Sequence, residues 1–376
     1  MDTPFSFGKI VSGNEFTDRE KETAWLLQQW SVKTNSMIIS PRRWGKSSLI
    51  QHAAEKFGKK YPGKIFVFID LFNVRSEQEF YELYSREVIR ATADTWEEAV
   101  RNVKTFFKML IPKLSLSPDQ QSEISIGFDW KEVKKNPSEI LNLPEAIGKQ
   151  KKKEIIVCID EFQNISFFDD PLSLQKRLRA HWQKHAQTSY CLYGSKRHLL
   201  MEFFTKPSMP FYKFGEILFL EKITENYWVP FITGRFSDTG KKISEKQAAM
   251  IAGLMDHHSY FVQQLALAVW LRTEKKCKDT VIEETLEELL DHYSILYQKE
   301  VDQLSNPQLN FLKAVMDKIE KLSSSKTIRE YNLGTSANVV RIKTALENKE
   351  LIDIAGKQIS LNDPLFECWL KRRFFK

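Results

Sequence analysis

The chain has 376 residues, 42% of them hydrophobic and 28% charged, which excludes a disordered or collagen-like polymer and fits a soluble globular protein of two or three domains. No apolar run is long enough to cross a bilayer, and the opening MDTPFSFGKIVSG lacks the basic stretch and apolar core of a secretory signal. Four cysteines lie far apart with no C-x-x-C pair, so neither a disulfide framework nor a zinc site is expected, and a reducing cytoplasm fits.

Charge is unevenly placed. The net surplus is +7, yet residues 304–376 hold 13 Lys/Arg against 8 Asp/Glu while 271–303 hold 5 against 9. A basic tail behind an acidic helix permits an anionic partner without demanding one.

In chain order, Ala24, Leu26, Leu27 and Trp30 predict a first helix, with Asn14 or Thr17 as its cap and Glu20 completing a T-x-x-E box. Met37-Ile38-Ile39 then predicts a short strand. It turns through Ser40-Pro41-Arg42-Arg43-Trp44-Gly45 into Lys46-Ser47-Ser48, and an amphipathic helix follows from Leu49 to Phe57. Strand, loop and helix in that order make G-x-x-x-x-G-K-[ST] a phosphate cradle. Loop N–H groups and the positive helix end would face the phosphates, Lys46 would reach the β- and γ-phosphates, and Ser47 would sit on Mg²⁺. Ser40 stands where the pattern has its first glycine, which is expected to cost a little backbone strain and no phosphate ligand. The competing reading is an incidental GKS in a basic loop.

Ile65 to Ile69 is a continuous apolar run ending at Asp70, as in a strand buried on both faces. Helices are expected over Glu77–Thr92 and Asp94–Leu110, and residues of about 93–150, with Pro112, Pro118 and Pro137, read as an insertion. Lys149 to Lys153 reads as a solvated turn. Ile155 to Ile159 then delivers Asp160-Glu161, a Walker B pattern in which Asp160 would hold Mg²⁺ and Glu161 would deprotonate the attacking water. A helix over Leu172–Gln187 leads to a strand at Tyr190–Tyr193 ending in Gly194-Ser195. Ser195 there would lie beside the Asp160 strand, within reach of the γ-phosphate or its water; otherwise it is a turn serine. A fifth strand, Glu216–Leu220, closes this region.

From Thr224 to Asp302 the apolar spacing is helical throughout, which predicts an all-α lid. Three helical patterns and a hairpin over Leu351–Ile354 and Gln358–Leu361 then predict a winged helix-turn-helix. The expected organisation is an ATPase core over 1–223, a lid over 224–303 and a winged helix over 304–376.

With those elements placed, the chain resembles the archaeal-type ATPases of the signal-transduction (STAND) branch of the AAA+ P-loop ATPases, its bacterial, Bacteroides-like members above all. Phe16-Thr17-Asp18-Arg19-Glu20 is similar to the family's F-x-x-R-E box, and Pro41-Arg42-Arg43 to its phosphate loop. Ile159-Asp160-Glu161-Phe162-Gln163 resembles its Walker B, Gly194-Ser195 its sensor strand, and Asp363-Pro364-Leu365-Phe366 part of its winged helix. The resemblance implies an ASCE-type parallel sheet flanked by helices, ATP and Mg²⁺ as ligands, and Phe16 and Arg19 bordering the adenine. It departs at Pro210-Phe211-Tyr212-Lys213, where the family turn ends in arginine, and at His257-His258-Ser259, where a proline follows the family histidine. No D…E-x-K block follows the winged helix, so intrinsic nuclease activity is not expected.

Several residues carry two readings. His258 would touch nucleotide from the lid, or cap and pack. Arg42 and Arg43 would face the γ-phosphate, a neighbouring subunit or solvent. Arg177 and Arg179 are candidate fingers acting on a neighbouring copy, or solvated helix residues. His181 and His185 have i, i+4 spacing, but Trp182 replaces the glutamate of H-E-x-x-H. Lys326, Arg329, Arg341, Lys343 and the tail Lys371, Arg372 and Arg373 would neutralise DNA phosphates, or the winged helix would serve a protein partner, the core or a homo-oligomer. Asn332, Ser336 and Asn338 would reach base edges or serve as turns and caps. The expected function is a cytoplasmic ATP-dependent molecular switch with slow Mg²⁺-dependent hydrolysis and no membrane contact. The alternatives are a nucleotide-regulated DNA-binding protein like the origin-recognition ATPases and a non-hydrolysing ATP scaffold.

Overall fold

The computed structural model describes residues 3–11, 13–107, 113–116 and 124–376. Backbone packing divides the chain into two compact units: Glu20–Ser40 with Lys46–Leu220, and Met1–Arg19 with Pro41–Gly45 and Glu221–Lys376.

The first of these is a sheet covered by helices. Its elements run α1 (Glu20–Ser31), β1 (Ser36–Ile39), α2 (Lys46–Lys60), β2 (Ile65–Asp70), α3 (Glu77–Thr92) and α4 (Trp96–Phe106). A hairpin of β3 (Lys113–Leu116) and β4 (Ile124–Gly127) and three helices, α5 (Trp130–Lys135), α6 (Ser138–Leu141) and α7 (Leu143–Lys151), fill the expected insertion. Then come β5 (Ile155–Asp160), a 3₁₀ turn (Phe162–Phe167), α8 (Pro171–Trp182), β6 (Thr188–Gly194), α9 (Arg197–Thr205) and β7 (Glu216–Phe219). The sheet order is β2-β5-β6-β1-β7, every pair parallel. β6 therefore lies between the strand that leads into the phosphate loop and the strand that ends in Asp160. In a parallel sheet ligands gather at the carboxyl ends of the strands, and both motifs leave from those ends.

Four expectations shift. β2 is an edge strand, and its second face is covered only in part: Val67 and Ile69 are in the core and Phe66 packs on Trp30 and Phe57, while Phe68 is 38% exposed. α1 starts only at Glu20, behind Asp18 and Arg19 at φ 60° and 78°, so Thr17 is not at the cap position; the Asn14 side chain lies outside the described set. α8 ends at Trp182, because the Glu145 carboxylate takes the N–H groups of Ala186 (3.1 Å) and Gln187 (2.8 Å) and turns the chain into β6. Lys149–Lys151 close α7 instead of forming a turn, with Lys151 on Glu98 at 2.6 Å. The end of the second expected helix, 108–110, and Pro112 and Pro118 lie outside the described residues.

The other unit contains α10 (Glu225–Asp238), α11 (Glu245–Leu254), α12 (Ser259–Arg272) and α13 (Asp279–Asp302). It continues with α14 (Asn306–Met316), α15 (Ser325–Glu330), α16 (Ser336–Asn348), the antiparallel β8 (Ile352–Ala355) and β9 (Gln358–Leu361), and α17 (Pro364–Trp369). One apolar cluster runs through all of it, from Trp228 and Leu265 to Phe366 and Trp369. The acidic α13 and the basic tail meet: Arg372 reaches Glu287 at 2.6 Å and Glu283 at 3.1 Å, and Arg373 reaches Asp291 at 2.9 Å. Among the described residues no helix is long and apolar enough to cross a membrane.

Candidate nucleotide site

At the carboxyl end of the sheet, α2 begins with Lys46 buried and the Ser47 hydroxyl donating to Asp160 Oδ2 at 2.7 Å. The Glu161 N–H donates to Asp160 Oδ1 at 2.8 Å. Burial pushes the Asp160 carboxyl above the usual carboxylate range, while the Lys46 ammonium and the Ser47 hydroxyl pull it back. Glu161 adopts the left-handed region (φ 50°, ψ 39°) at the end of β5. Its Oε2 accepts from the Ser195 hydroxyl at 2.8 Å and from the Gln163 amide. The geometry thus brings Lys46, Ser47, Asp160, Glu161 and Ser195 into one neighbourhood, as adjacency of β5 and β6 requires.

Asp160 and Ser47 also form a donor set of the right kind for Mg²⁺. A buried carboxylate whose ionised form is disfavoured gains from a divalent cation, and hard oxygens are what Mg²⁺ takes. Mg²⁺ keeps several waters and phosphate oxygens in its shell, so two protein oxygens suffice.

The loop before Lys46 has Ser40 and Pro41 buried. Arg43 lies at φ 65° and Gly45 at φ 91°, left-handed positions of the kind that let successive N–H groups converge on an anion. Only glycine takes φ 91° without strain. Ser40 has no positive φ, so the missing first glycine costs no strain there. Ser48, the third residue of α2, is buried.

The tip of this loop, residues 41–45, packs within the helical unit. Arg42 pairs with Glu350 at 3.0 Å, in the turn between α16 and β8. The Arg43 guanidinium lies 4.6 Å from the ring centre of Tyr260. Trp44 meets His258 edge-on at 6.4 Å and carries the Lys222 ammonium 5.5 Å over its ring. The Trp44 carbonyl accepts from Ser259 Oγ and from Arg19, both at 3.4 Å, and the same guanidinium reaches the Glu221 carbonyl at 2.7 Å. Arg19 is therefore buried against the loop backbone, while Phe16 is half-buried, its N–H on the Gly13 carbonyl at 3.2 Å. His258 precedes α12, and burial holds its ring at about 4, with Lys222 adding to the effect.

Other candidates are engaged elsewhere. Arg177 binds Glu77 at 2.5 Å, and Arg179 covers the Phe214 ring at 4.8 Å. His181 and His185 both bond Asn142 Oδ1, at 3.0 and 3.1 Å. Asn338 serves the turn before its helix, its amide on the Leu333 carbonyl at 2.8 Å. Asn332 takes the left-handed conformation of a turn, at φ 51°. The parts that sequence reasoning missed are Gln163, Tyr260, Lys222 and Glu350. Gln163 stood inside a quoted motif with no stated task, Tyr260 directly follows the quoted His257-His258-Ser259, and no local pattern announces the other two.

Two family models match. Residues 16–202 match an ATPase domain predominantly from Archaea, and residues 295–372 match a probable winged helix domain. Among solved structures, a Walker-type ATPase of Pyrococcus abyssi is 17% identical, with a TM-score of 0.66 over 98% of this chain and 99% of that one. The Aeropyrum pernix ORC2 protein, in ADPNP and ADP complexes, is 12% identical with a TM-score of 0.57 over 99% of this chain and 100% of that one. At such identities the likeness shows the fold. No curated protein matches the chain.

Proposed function

The chain belongs to the archaeal-type ATPases with a C-terminal winged helix, and on that premise we propose that it is a STAND-type molecular switch that binds and slowly hydrolyses ATP with Mg²⁺. The observation that carries the proposal is the Ser47–Asp160 hydrogen bond at 2.7 Å beside a Glu161 carboxylate held by Ser195. That is the arrangement a metal–triphosphate and its attacking water require. ADPNP and ADP in the A. pernix relative support adenine nucleotide as the ligand.

In this reading the backbone of residues 40–45 and the start of α2 cradle the phosphates. Lys46 neutralises charge on the β- and γ-phosphates, while Ser47 and Asp160 hold Mg²⁺, which supplies further neutralisation when bound. Glu161 takes a proton from water as its oxygen bonds to the γ-phosphorus; the bond to the bridging oxygen breaks, leaving ADP and phosphate. Ser195 orients Glu161 and senses the γ-phosphate. Most of the rate comes from placement and charge neutralisation. Phe16 and Arg19 border the adenine, and His258 and Arg42–Trp44 relay the nucleotide state through their contacts with the helical unit. We assign the core to 1–223, the lid to 224–303 and the winged helix to 304–376. Four free cysteines suit a reducing cytoplasm.

A second reading, nucleotide-regulated DNA binding, is favoured by exposed Lys326, Arg329 and Arg341 on α15 and α16. Arg372 and Arg373 do not support it, since α13 neutralises them. The two readings part on a salt titration. Affinity for duplex DNA that falls steeply with salt and disappears on neutralising Arg329, Arg341 and Lys343 supports the second; no binding at low salt removes it. The first is tested by phosphate release over hours, in wild type and Glu161→Gln. Equal rates would remove Glu161 as the base.

A further inference from the structure

We propose that Gln163 and Gly194 together form a clamp that positions the Glu161 carboxylate, so that Oε2 is fixed and Oε1 is the oxygen that takes the proton. The inference rests on Glu161 being the base and adds two positioning residues to it.

Gln163 is fully buried in the 3₁₀ turn that follows β5. Its amide N–H donates to Glu161 Oε2, the same oxygen that the Ser195 hydroxyl reaches at 2.8 Å. Both donors fall on one oxygen, Oε2, so the proposed clamp gives the attacking water to the other. The far side of the amide is the informative one. Gln163 Oε1 is buried and, among the described residues, has no hydrogen-bond partner. An orphaned buried acceptor is costly and calls for a reason. The reason lies in the carboxylate. Turning the amide over would set Oε1 against a negatively charged oxygen, so the orientation that leaves Oε1 unpaired is the one Glu161 dictates.

Space for the amide comes from Gly194, the last residue of β6. A Cβ built there would overlap Gln163 Oε1 and crowd its Cδ at 3.0 Å. Gly194 has no positive φ, so its backbone would accept alanine; the close approach of Gln163 is what requires glycine. Glu161 itself is a non-glycine residue in the left-handed region (φ 50°), a strain of about 1–3 kcal/mol that persists only where surroundings over-determine it. The Asp160 bond to its N–H and the two donors on Oε2 are those surroundings. Sequence order thus becomes chemistry: metal ligand, base, spacer and clamp within Asp160–Gln163, closed by a missing side chain on the next strand.

The test uses the full chain with Mg·ATP and compares wild type, Gln163→Leu, Gly194→Ala and the double variant. Affinity for a fluorescent ATP analogue should stay within about twofold, and thermal melts confirm folding. Single-turnover hydrolysis should fall by about 10- to 100-fold, the cost of a misplaced group. Because both substitutions act on one clamp, the double variant should be no slower than the slower single. An unchanged single-turnover rate in folded Gln163→Leu, or losses that multiply in the double variant, overturn the proposal. If Glu161→Gln is inactive while Gln163→Leu is not, the clamp alone falls. If wild type does not hydrolyse ATP, clamp and base fall together. Gly194→Ala is the riskier variant for folding, and Gln163→Leu by itself decides the matter.

Discussion

At one end of the phosphate loop, Ser47 reaches a buried carboxylate at 2.7 Å; at the tip, Arg42 pairs with Glu350 while half exposed to water, and Arg43 lies on a tyrosine face. A hydrogen bond to a charged group contributes about 1.5–3 kcal/mol. A half-exposed ion pair contributes about 0–1 kcal/mol, and an exposed cation–π contact about 0.5–1 kcal/mol. The firm end stands where charge must be placed to a fraction of an ångström. The loose tip stands where a ligand of modest differential affinity can change which partners are held. One loop therefore has a firmly bonded end and a tip whose contacts are individually weak.

The largest way to break that contrast is at Lys46. Lys46→Ala should remove both nucleotide binding and hydrolysis. Losing charge-assisted contacts to two phosphates at about 1.5–3 kcal/mol each weakens affinity by about 100-fold or more. Calorimetric titration with ATP checks it; near-normal affinity would mean the GKS is incidental. Next is Glu161→Gln, which should keep binding and trap the triphosphate while hydrolysis falls by about 10²–10⁴. Nucleotide recovered from the purified variant should be ATP, not ADP.

His258 sharpens the comparison through pH. Its ring is held at about 4 by burial and by Lys222 and Arg43, against an ordinary 6.5. In the unfolded chain it protonates below 6.5 while in the fold it stays neutral, so the unfolded state binds more protons between pH 6.5 and 4. Stability is complete above 6.5 and declines as pH falls through that window, by at most about 3 kcal/mol. Denaturant melts at pH 7, 5.5 and 4.5 should show the decline, and His258→Gln should flatten it. His185, also held at about 4 by burial, contributes equally to both proteins. Equal slopes would clear His258 of the effect.

Much of this was legible because the signals are local. The run Met37–Ile39 before a turn and GKS, and Ile155–Ile159 before Asp160-Glu161, each define a strand and a motif within about ten residues. Once β6 is read as a strand, Ser195 beside Glu161 follows. The edge position of β2 was not legible, since an apolar run looks the same whether the strand has one neighbour or two. Glu350 is 308 positions from Arg42 in the chain, and no periodicity connects them. Gln163 Oε1 against Gly194 is a fact of packing across two strands, and a glycine in a sequence does not say what occupies its missing side chain.

The smallest predicted effect tests the loose tip itself. Glu350→Gln keeps the shape of the side chain and removes its charge, in a turn residue already at φ 58°. Stability should change by no more than about 1 kcal/mol, the range of a half-exposed pair. If triphosphate binding draws Arg42 away from Glu350, wild type must first break that pair, and the variant need not. The variant should then bind ATP about two- to fivefold more tightly, which is that same energy read as affinity. Salt supplies the control, because it screens an exposed pair. As ionic strength rises, ATP affinity falls in both proteins, but the ratio between them should shrink toward one. A ratio of one at low salt would mean that the Arg42–Glu350 pair does not report on the nucleotide, and the relay would then have to run through Trp44 and His258.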